Sequence, residues 1–223
     1  MSEQIVGMIG GIGPESTIEY YRALIASGHR AIVLNSVDLP RLLAWMNAGQ
    51  FEETADYLAA EVGRLAAAGA TIGLITANSP HIVFDDVQAR SPIPLVSIVE
   101  ATRAHMQSLG LSRAALFGTR FTMQGGFYPR VFERHGLTVV MPTESEQAYI
   151  HDKYINELLK NVFAPATERG LLAIADSIID RERIEALILG GTELPLLLKD
   201  STYRGIPLLD TTKIHVGAVL AQL

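Results

Sequence analysis

The stretch Leu187-Ile188-Leu189-Gly190-Gly191-Thr192-Glu193-Leu194 decides the fold, and its counterpart is Gly73-Leu74-Ile75-Thr76-Ala77-Asn78-Ser79-Pro80-His81. Each is a short apolar run that changes to small and hydroxyl-bearing residues just before a helix could begin. Such a run is typical of a buried parallel strand. Ligands of open α/β sheets bind at the carboxyl ends of the strands. The sequence therefore predicts one functional strand end in each half of the chain.

The composition is that of a folded globular protein. The 223 residues fit one large domain or two smaller ones, and with 48% hydrophobic and 19% charged residues we expect no disorder. A net charge of -6 gives no electrostatic case for nucleic acid as a partner. No apolar run is long enough to span a membrane, and no signal peptide precedes the first strand. We therefore expect no membrane partner and a cytoplasmic location.

Strand-like and helix-like segments alternate along the chain, which predicts an α/β fold with parallel sheets. The predicted strands are 4–9, 31–35, 72–75, 92–98, the start of 113–122, 137–141, 184–189 and 206–210. Residues 36–41 and the end of 113–122 are predicted to be loops. The predicted helices are 18–25, 51–68, a segment ending near 89, 99–109, 127–135, 144–161, 167–179 and 212–223.

The two halves of the chain correspond to each other. Gly10 and Gly118 end the first strand of each half, and Ala77 and Gly191 follow a later strand of each half. The fold predicted is two similar Rossmann-like lobes with parallel sheets, related by a pseudo-two-fold duplication, with an active-site cleft between them. The first lobe is expected to span 1–100 plus 208–223, and the second 101–207.

A glycine-rich turn, Gly10-Gly11-Ile12-Gly13-Pro14-Glu15-Ser16-Thr17, follows the first strand. Glycines let the backbone turn tightly and approach a ligand, and the helix that follows offers free N–H groups to an anion. The alternative is a simple strand-to-helix turn. Pro14 and Glu15 after the third glycine do not fit the dinucleotide-binding spacing, so we expect no nucleotide cofactor.

Five segments, in order and at suitable spacing, resemble the aspartate/glutamate racemase superfamily. Gly10–Thr17 is similar to its opening turn, and 77–81 to its Cys-Asn-Thr-x-His segment. Residues 116–122 are similar to its middle Gly-Thr-x-x-Thr turn, 190–194 to its Gly-Cys-Thr-Glu segment, and 209–215 to its final strand-to-helix stretch.

The resemblance implies proton removal and return at Cα without a cofactor, by one cysteine on each face of the substrate. Here Ala77 and Gly191 stand at the two cysteine positions, and the sequence contains no cysteine. The cysteine pair therefore cannot operate. The absence of thiolates also removes one class of metal site, and we expect neither metal nor cofactor.

Three side chains are candidate replacements for the thiols as proton carriers. Thr76 adjoins the first position, although an unassisted hydroxyl is a poor base. His81 is a candidate base, with helix capping or packing as the alternative. Glu193 follows the second position, where it could instead favour the positive end of the next helix.

The remaining candidates form a carboxylate-binding shell. Hydroxyl, amide and backbone N–H groups suit a carboxylate, but the same side chains commonly cap helices, and both roles are compatible. Arg41 and Lys160 are candidate partners for a second carboxylate, with solvated surface charge as the alternative. The other predicted substrate-binding residues are Gly11, Ile12, Asn78, Ser79, Thr119, Thr122 and Thr192.

The leading hypothesis is an amino-acid racemase-family protein that acts on aspartate, glutamate or a similar small carboxylate as a homodimer. The first alternative is a catalytically silent binding protein for a small amino acid or dicarboxylate. A family decarboxylase or isomerase, which needs one proton donor, is a second alternative. A third is a racemase altered at Gly191 by engineering.

Overall fold

The computed structural model describes residues 4–29 and 31–223, which contain alternating strands and helices. The strands are β1 (Val6–Gly10), β2 (Ile32–Ser36), β3 (Ile72–Ile75), β4 (Leu95–Val96), β5 (Arg113–Gly118), β6 (Thr138–Val140), β7 (Ala186–Gly190), β8 (Thr202–Tyr203) and β9 (Ile206–Asp210). The helices are α1 (Pro14–Ala26), α2 (Leu39–Asn47), α3 (Phe51–Ala67), α4 (Phe84–Arg90), α5 (Ile98–Ser108), α6 (Arg120–Gln124), α7 (Phe127–Glu133), α8 (Glu144–Asn156), α9 (Pro165–Glu182), α10 (Leu194–Leu197) and α11 (Thr211–Leu220).

The strands form two sheets of the same order. The first sheet is β2-β1-β3-β4, with every pairing parallel. In the second sheet, β6-β5-β7-β9 are parallel, and the short β8 pairs antiparallel with β9. The predicted α/β class with two parallel sheets is confirmed. In this order β3 and β7 hold equivalent places, each beside the first strand of its sheet.

The chain divides into two compact units. The first contains the residues up to Ile98 together with His215–Leu223, and the second contains Val99–Ile214. The last strand was expected in the first lobe, and this assignment is wrong, because Leu208 and Leu209 in β9 pair with β7. Four residues of the predicted first lobe, 1–3 and 30, lie outside the described part.

The core of the first unit explains its apolar runs. Val6 and Met8 of β1 and Leu74 of β3 are fully buried. They pack with Tyr20 and Leu24 of α1, and Val216 and Val219 of α11 belong to the same cluster. A parallel strand that is covered by helices on both faces of its sheet needs apolar side chains on both faces. Its sequence is therefore a continuous apolar run rather than an alternating one.

The second unit has an equivalent core around β5 and β7. Phe117, Leu187 and Leu189 are buried there together with Tyr154 of α8 and Ile178 of α9. Helix α8 begins with a capping box, in which Thr143 Oγ1 accepts from Glu146 N–H and the Glu146 carboxylate accepts from Thr143 N–H. This cap fixes where α8 begins.

Several predicted boundaries are wrong. The loop predicted at 36–41 contains the start of α2, where Asp38 Oδ1 accepts from Arg41 N–H at 3.1 Å and caps the helix. The helix predicted over 144–161 ends at Asn156 and is followed by a 3₁₀ turn, Leu158–Lys160. The loop predicted at the end of 113–122 contains the start of α6. Helices as short as α6 and α10 have too few turns to show a periodic pattern.

Candidate functional site

Two strand ends of the first sheet meet at the glycine turn after β1. Gly11 has a φ of +80°, and a Cβ added to it would lie 3.2 Å from the Val37 backbone nitrogen beyond β2. Thr17 Oγ1 accepts a hydrogen bond of 3.0 Å from Gly11 N–H. Position 11 therefore requires glycine, both for its positive φ and for its close approach to the Val37 backbone. Ile12, half-buried, continues the turn.

Thr76 is buried at the end of β3, where its hydroxyl joins β3 to β1. Thr76 Oγ1 donates to Ile9 O at 3.0 Å and lies 3.3 Å from Thr17 Oγ1. Asn78, 3% exposed, and Ser79 follow Ala77 at the start of a short 3₁₀ turn. Position 77, where the resemblance implies a cysteine, therefore bears only a methyl group, and the neighbouring Thr76 hydroxyl bonds to the backbone.

His81 has backbone partners at both ring nitrogens. Ile98 N–H donates to Nε2 at 3.2 Å, so Nδ1 carries the proton and donates to Ala77 O at 2.9 Å. Burial, and secondarily the nearby His215, lowers the pKa of His81 to about 3. The neutral ring therefore holds the carbonyl of Ala77 in place.

His215 has the same kind of role in the first unit. Its Nε2–H donates to Val96 O at 2.8 Å, and the Tyr20 hydroxyl donates to Nδ1 at 2.8 Å. Burial lowers the pKa of His215 to about 4. The ring thus joins α11, α1 and the end of β4 as a neutral group.

In the second unit, the two threonines after β5 lie together. Thr119 caps α6, since its Oγ1 accepts from Thr122 N–H at 3.3 Å. The two hydroxyl oxygens are also 3.3 Å apart, and Thr122 is fully buried. Thr119 therefore has the capping role that the sequence left as an alternative.

A residue that the sequence did not single out packs against Gly191, the second position at which the resemblance implies a cysteine. A Cβ added to Gly191 would lie 2.8 Å from both Cζ and Oη of Tyr154, and closer still to its Cε2. Real Cβ atoms are not found at such distances from a ring, so a side chain at 191 would require the Tyr154 ring to shift. Ile150, Tyr154 and Leu158 are spaced four residues apart, which predicts a buried helix face. This spacing does not predict that the Tyr154 side chain points toward Gly191.

Glu193 is the buried carboxylate of this strand end. It is 2% exposed, and its Oε2 accepts from the Tyr154 hydroxyl and from Thr192 Oγ1, the latter at 3.0 Å. Burial first, and then the adjacent Glu193 carboxylate, raise the pKa of Tyr154 well above its usual value. The phenol is therefore neutral and serves as a hydrogen-bond donor to Glu193.

The two candidate cationic residues lie in different units. Arg41 is exposed in the first turn of α2, on the chain that leaves the carboxyl end of β2. Its guanidinium carbon lies 4.4 Å from the centre of the Trp45 ring. Lys160 is exposed at the end of the 3₁₀ turn after α8, and it does not follow a strand.

The predicted site residues thus form two groups, one in each unit. Residues 11, 12, 41, 76–79 and 81 lie at or after strand ends of the first sheet, and 119, 122 and 191–193 after strands of the second. Within 4–29 and 31–223, no cluster of three His, Asp or Glu residues is suited to a metal ion. In the same residues, no helix is long and apolar enough to cross a membrane.

Comparison with known proteins gives matches along almost the whole chain. The Asp/Glu/Hydantoin racemase family profile matches residues 9–219. The structure of a candidate Asp/Glu racemase from Yersinia pestis superposes with a TM-score of 0.86, at 29% identity over 98% of both chains. An aspartate racemase homologue from Pyrococcus horikoshii gives a TM-score of 0.83, also at 29% identity over 98% of both chains. The broad specificity amino-acid racemase RacX of Bacillus subtilis is 21% identical, over 93% of each chain.

Proposed function

Because the chain belongs to the Asp/Glu/hydantoin racemase family, we propose that it binds a small acidic amino acid or dicarboxylate and exchanges the hydrogen at Cα without pyridoxal phosphate or another cofactor. One observation carries the proposal. Asn78 and Ser79 follow β3, and Thr192 follows β7, which holds the equivalent place in the second sheet. Each strand end offers hydroxyl or amide groups that suit a carboxylate.

The proton carrier must be a group other than a thiol. The Thr76 hydroxyl donates to a strand carbonyl, and both His81 nitrogens have backbone partners. Glu193 follows the second thiol position and has a carboxylate that can accept and return a proton. We assign the proton transfer to Glu193, with Tyr154 and Thr192 as the donors that orient it. With a single proton carrier, the hydrogen at Cα is removed and returned on one face of the substrate. We therefore expect inversion of the Cα configuration to be much slower than hydrogen exchange.

A catalytically silent binding protein is the second candidate, and a specific observation favours it. The ring of Tyr154 lies where a side chain at 191 would begin, and position 77 bears only a methyl group. Neither thiol position therefore presents a proton carrier of its own. In this alternative, the polar strand ends bind a carboxylate and no proton moves.

Two measurements separate the candidates. The protein is incubated with L- and D-aspartate and glutamate in D₂O, and loss of the Cα proton signal is followed by NMR. Calorimetric titration with the same compounds measures binding. Exchange together with binding supports the exchange enzyme, whereas micromolar binding without exchange supports the binding protein. Absence of both for all four compounds contradicts both candidates.

We also propose a cytoplasmic homodimer. Exposed apolar side chains on the first unit support self-association, among them Ile18 and Tyr21 of α1 and Leu34 of the edge strand β2. Adjacent exposed apolar groups are typical of protein contact surfaces. Light scattering of wild type and of Tyr21→Ser tests the assembly, with a dimer expected for wild type and a weakened dimer for the variant. Cell fractionation tests the location.

A further inference from the structure

The Arg41 guanidinium packs against two aromatic rings that also contact each other. Its carbon is 4.4 Å from the centre of the Trp45 ring and 5.2 Å from that of Tyr57. Trp45 lies four residues after Arg41 on α2, so the two side chains share one face of the helix. Tyr57 comes from α3. The rings make an edge contact at 5.5 Å between their centres, so they form one aromatic support for the cation.

This aromatic support is tied to the turn that begins α2. Asp38 N–H donates to the Tyr57 hydroxyl at 2.9 Å, and Asp38 Oδ1 accepts from Arg41 N–H. The same aspartate therefore anchors both the arginine backbone and one of the two rings. This arrangement restricts where the Arg41 side chain can lie.

Within residues 4–29 and 31–223, Arg41 takes part in no ion pair. Other arginines of the unit have carboxylate partners, such as Arg22 with Glu19 and Arg64 with Glu61, both at 2.8 Å. Aromatic faces attract the cation but do not use its N–H donors. The guanidinium fork of Arg41 is thus held in place and still able to bind a carboxylate with two hydrogen bonds.

We propose that Trp45 and Tyr57 are positioning residues that hold Arg41 for the second carboxylate of the ligand. This inference rests on the proposed function. An exposed arginine loses side-chain conformational entropy when it binds a ligand, which weakens binding. Because the rings already restrict the Arg41 side chain, less entropy is lost on binding.

The single tryptophan of the chain makes the site directly observable. Succinate and butyrate differ by one carboxylate and are titrated into the protein while Trp45 fluorescence is recorded. We expect a saturable change with succinate and none with butyrate at the same concentrations. Arg41→Gln, an exposed change that leaves both rings, should abolish the succinate response.

Calorimetry of ring variants tests the positioning role. Trp45→Leu and Tyr57→Leu should each weaken succinate binding by about 10-fold, whereas Trp45→Phe, which keeps an aromatic face, should stay within about 3-fold of wild type. Tyr149→Leu is the matched control, because Tyr149 supports Lys153 in the other unit at 5.7 Å. It should leave succinate affinity unchanged.

The outcomes separate the two proposals. Succinate binding that is insensitive to Arg41→Gln and to the folded leucine variants overturns the positioning role and leaves the proposed function intact. Equal binding of butyrate and succinate also overturns it. If wild type binds neither aspartate, glutamate nor succinate, the proposed function itself fails. If one leucine variant does not fold, as judged by circular dichroism, the other leucine variant together with Arg41→Gln still decides the question.

Discussion

Tyr154 occupies the space in which a side chain on Gly191 would begin, with its Cζ and Oη 2.8 Å from an added Cβ. A side chain at 191 therefore requires the Tyr154 ring to shift, so position 191 is coupled to the residue at 154. Introducing a cysteine at 191 alone leaves the clash in place.

The first prediction concerns stability at this position. Gly191→Cys should destabilise the protein by about 1–3 kcal/mol, the usual cost of overpacking a core. The variant Gly191→Cys with Tyr154→Leu should recover part of this loss, because the shorter side chain leaves room for Cβ and Sγ. Urea unfolding of wild type, both single variants and the double variant measures the coupling. If the changes in unfolding free energy of the two single variants add up to that of the double variant, the two side chains do not compete for the same space.

The second prediction extends the coupling to catalysis. Ala77→Cys with Gly191→Cys supplies two thiols, but the Tyr154 ring occupies the space that the second side chain needs. Adding Tyr154→Leu should raise aspartate or glutamate racemisation above that of the two-cysteine variant, as followed by chiral chromatography. Equal rates in the two folded variants would mean that the tyrosine does not limit the second thiol.

The third prediction concerns the hydrogen bond from Tyr154 to Glu193. Tyr154→Phe removes a donor from a buried carboxylate and should lower the free energy of unfolding by about 2 kcal/mol. Tyr203→Phe is the control, because its hydroxyl donates to Asp176 at 3.1 Å in a more solvated place, and it should cost less than about 1 kcal/mol. Equal losses of unfolding free energy in the two variants would contradict the claim that burial strengthens the hydrogen bond from Tyr154 to Glu193.

The fourth prediction concerns pH. His81 and His215 are held neutral, with pKa values of about 3 and 4 in the folded chain and 6.5 as the ordinary value. Below pH 6.5 the unfolded chain binds protons that the folded chain does not. Stability should therefore fall as the pH is lowered from about 6.5 toward 4, by up to about 1.4 kcal/mol per pH unit for each histidine.

Urea midpoints measured between pH 7 and pH 4 test this slope. His81→Gln should reduce it, whereas His135→Gln, which alters an exposed histidine, should leave it unchanged. A slope that does not respond to His81→Gln would show that other groups control the acid sensitivity.

Much of the fold follows from local patterns. The bounds of β3 and β9 agree with the apolar runs at 72–75 and 206–210, because a strand buried on both faces shows itself in composition alone. The short helix α2 escaped prediction because its start depends on the Asp38 cap, within a segment that also suits a loop. The sheet to which β9 belongs depends on pairing with β7, which no local pattern encodes.

The candidate site shows the same division. The polar strand ends were visible as sequence motifs, but the partners of their side chains were not. His81 owes its proton position to Ile98 N–H, seventeen residues away. The Arg41 support needs Tyr57 from another helix, and the Tyr154 contact with Gly191 joins residues far apart in the chain. Such contacts are set by tertiary packing, which a single sequence does not reveal.

The measurement that tests the account most directly compares wild type with Glu193→Gln for deuterium exchange at Cα of aspartate and glutamate. Glutamine has nearly the same shape and can accept from Tyr154, but it cannot carry the proton. We predict measurable exchange by wild type, and at least about a 100-fold loss in the variant with ligand affinity retained, in keeping with the usual contribution of a general acid–base group. Undiminished exchange by folded Glu193→Gln would contradict the assignment of Glu193 as the proton carrier.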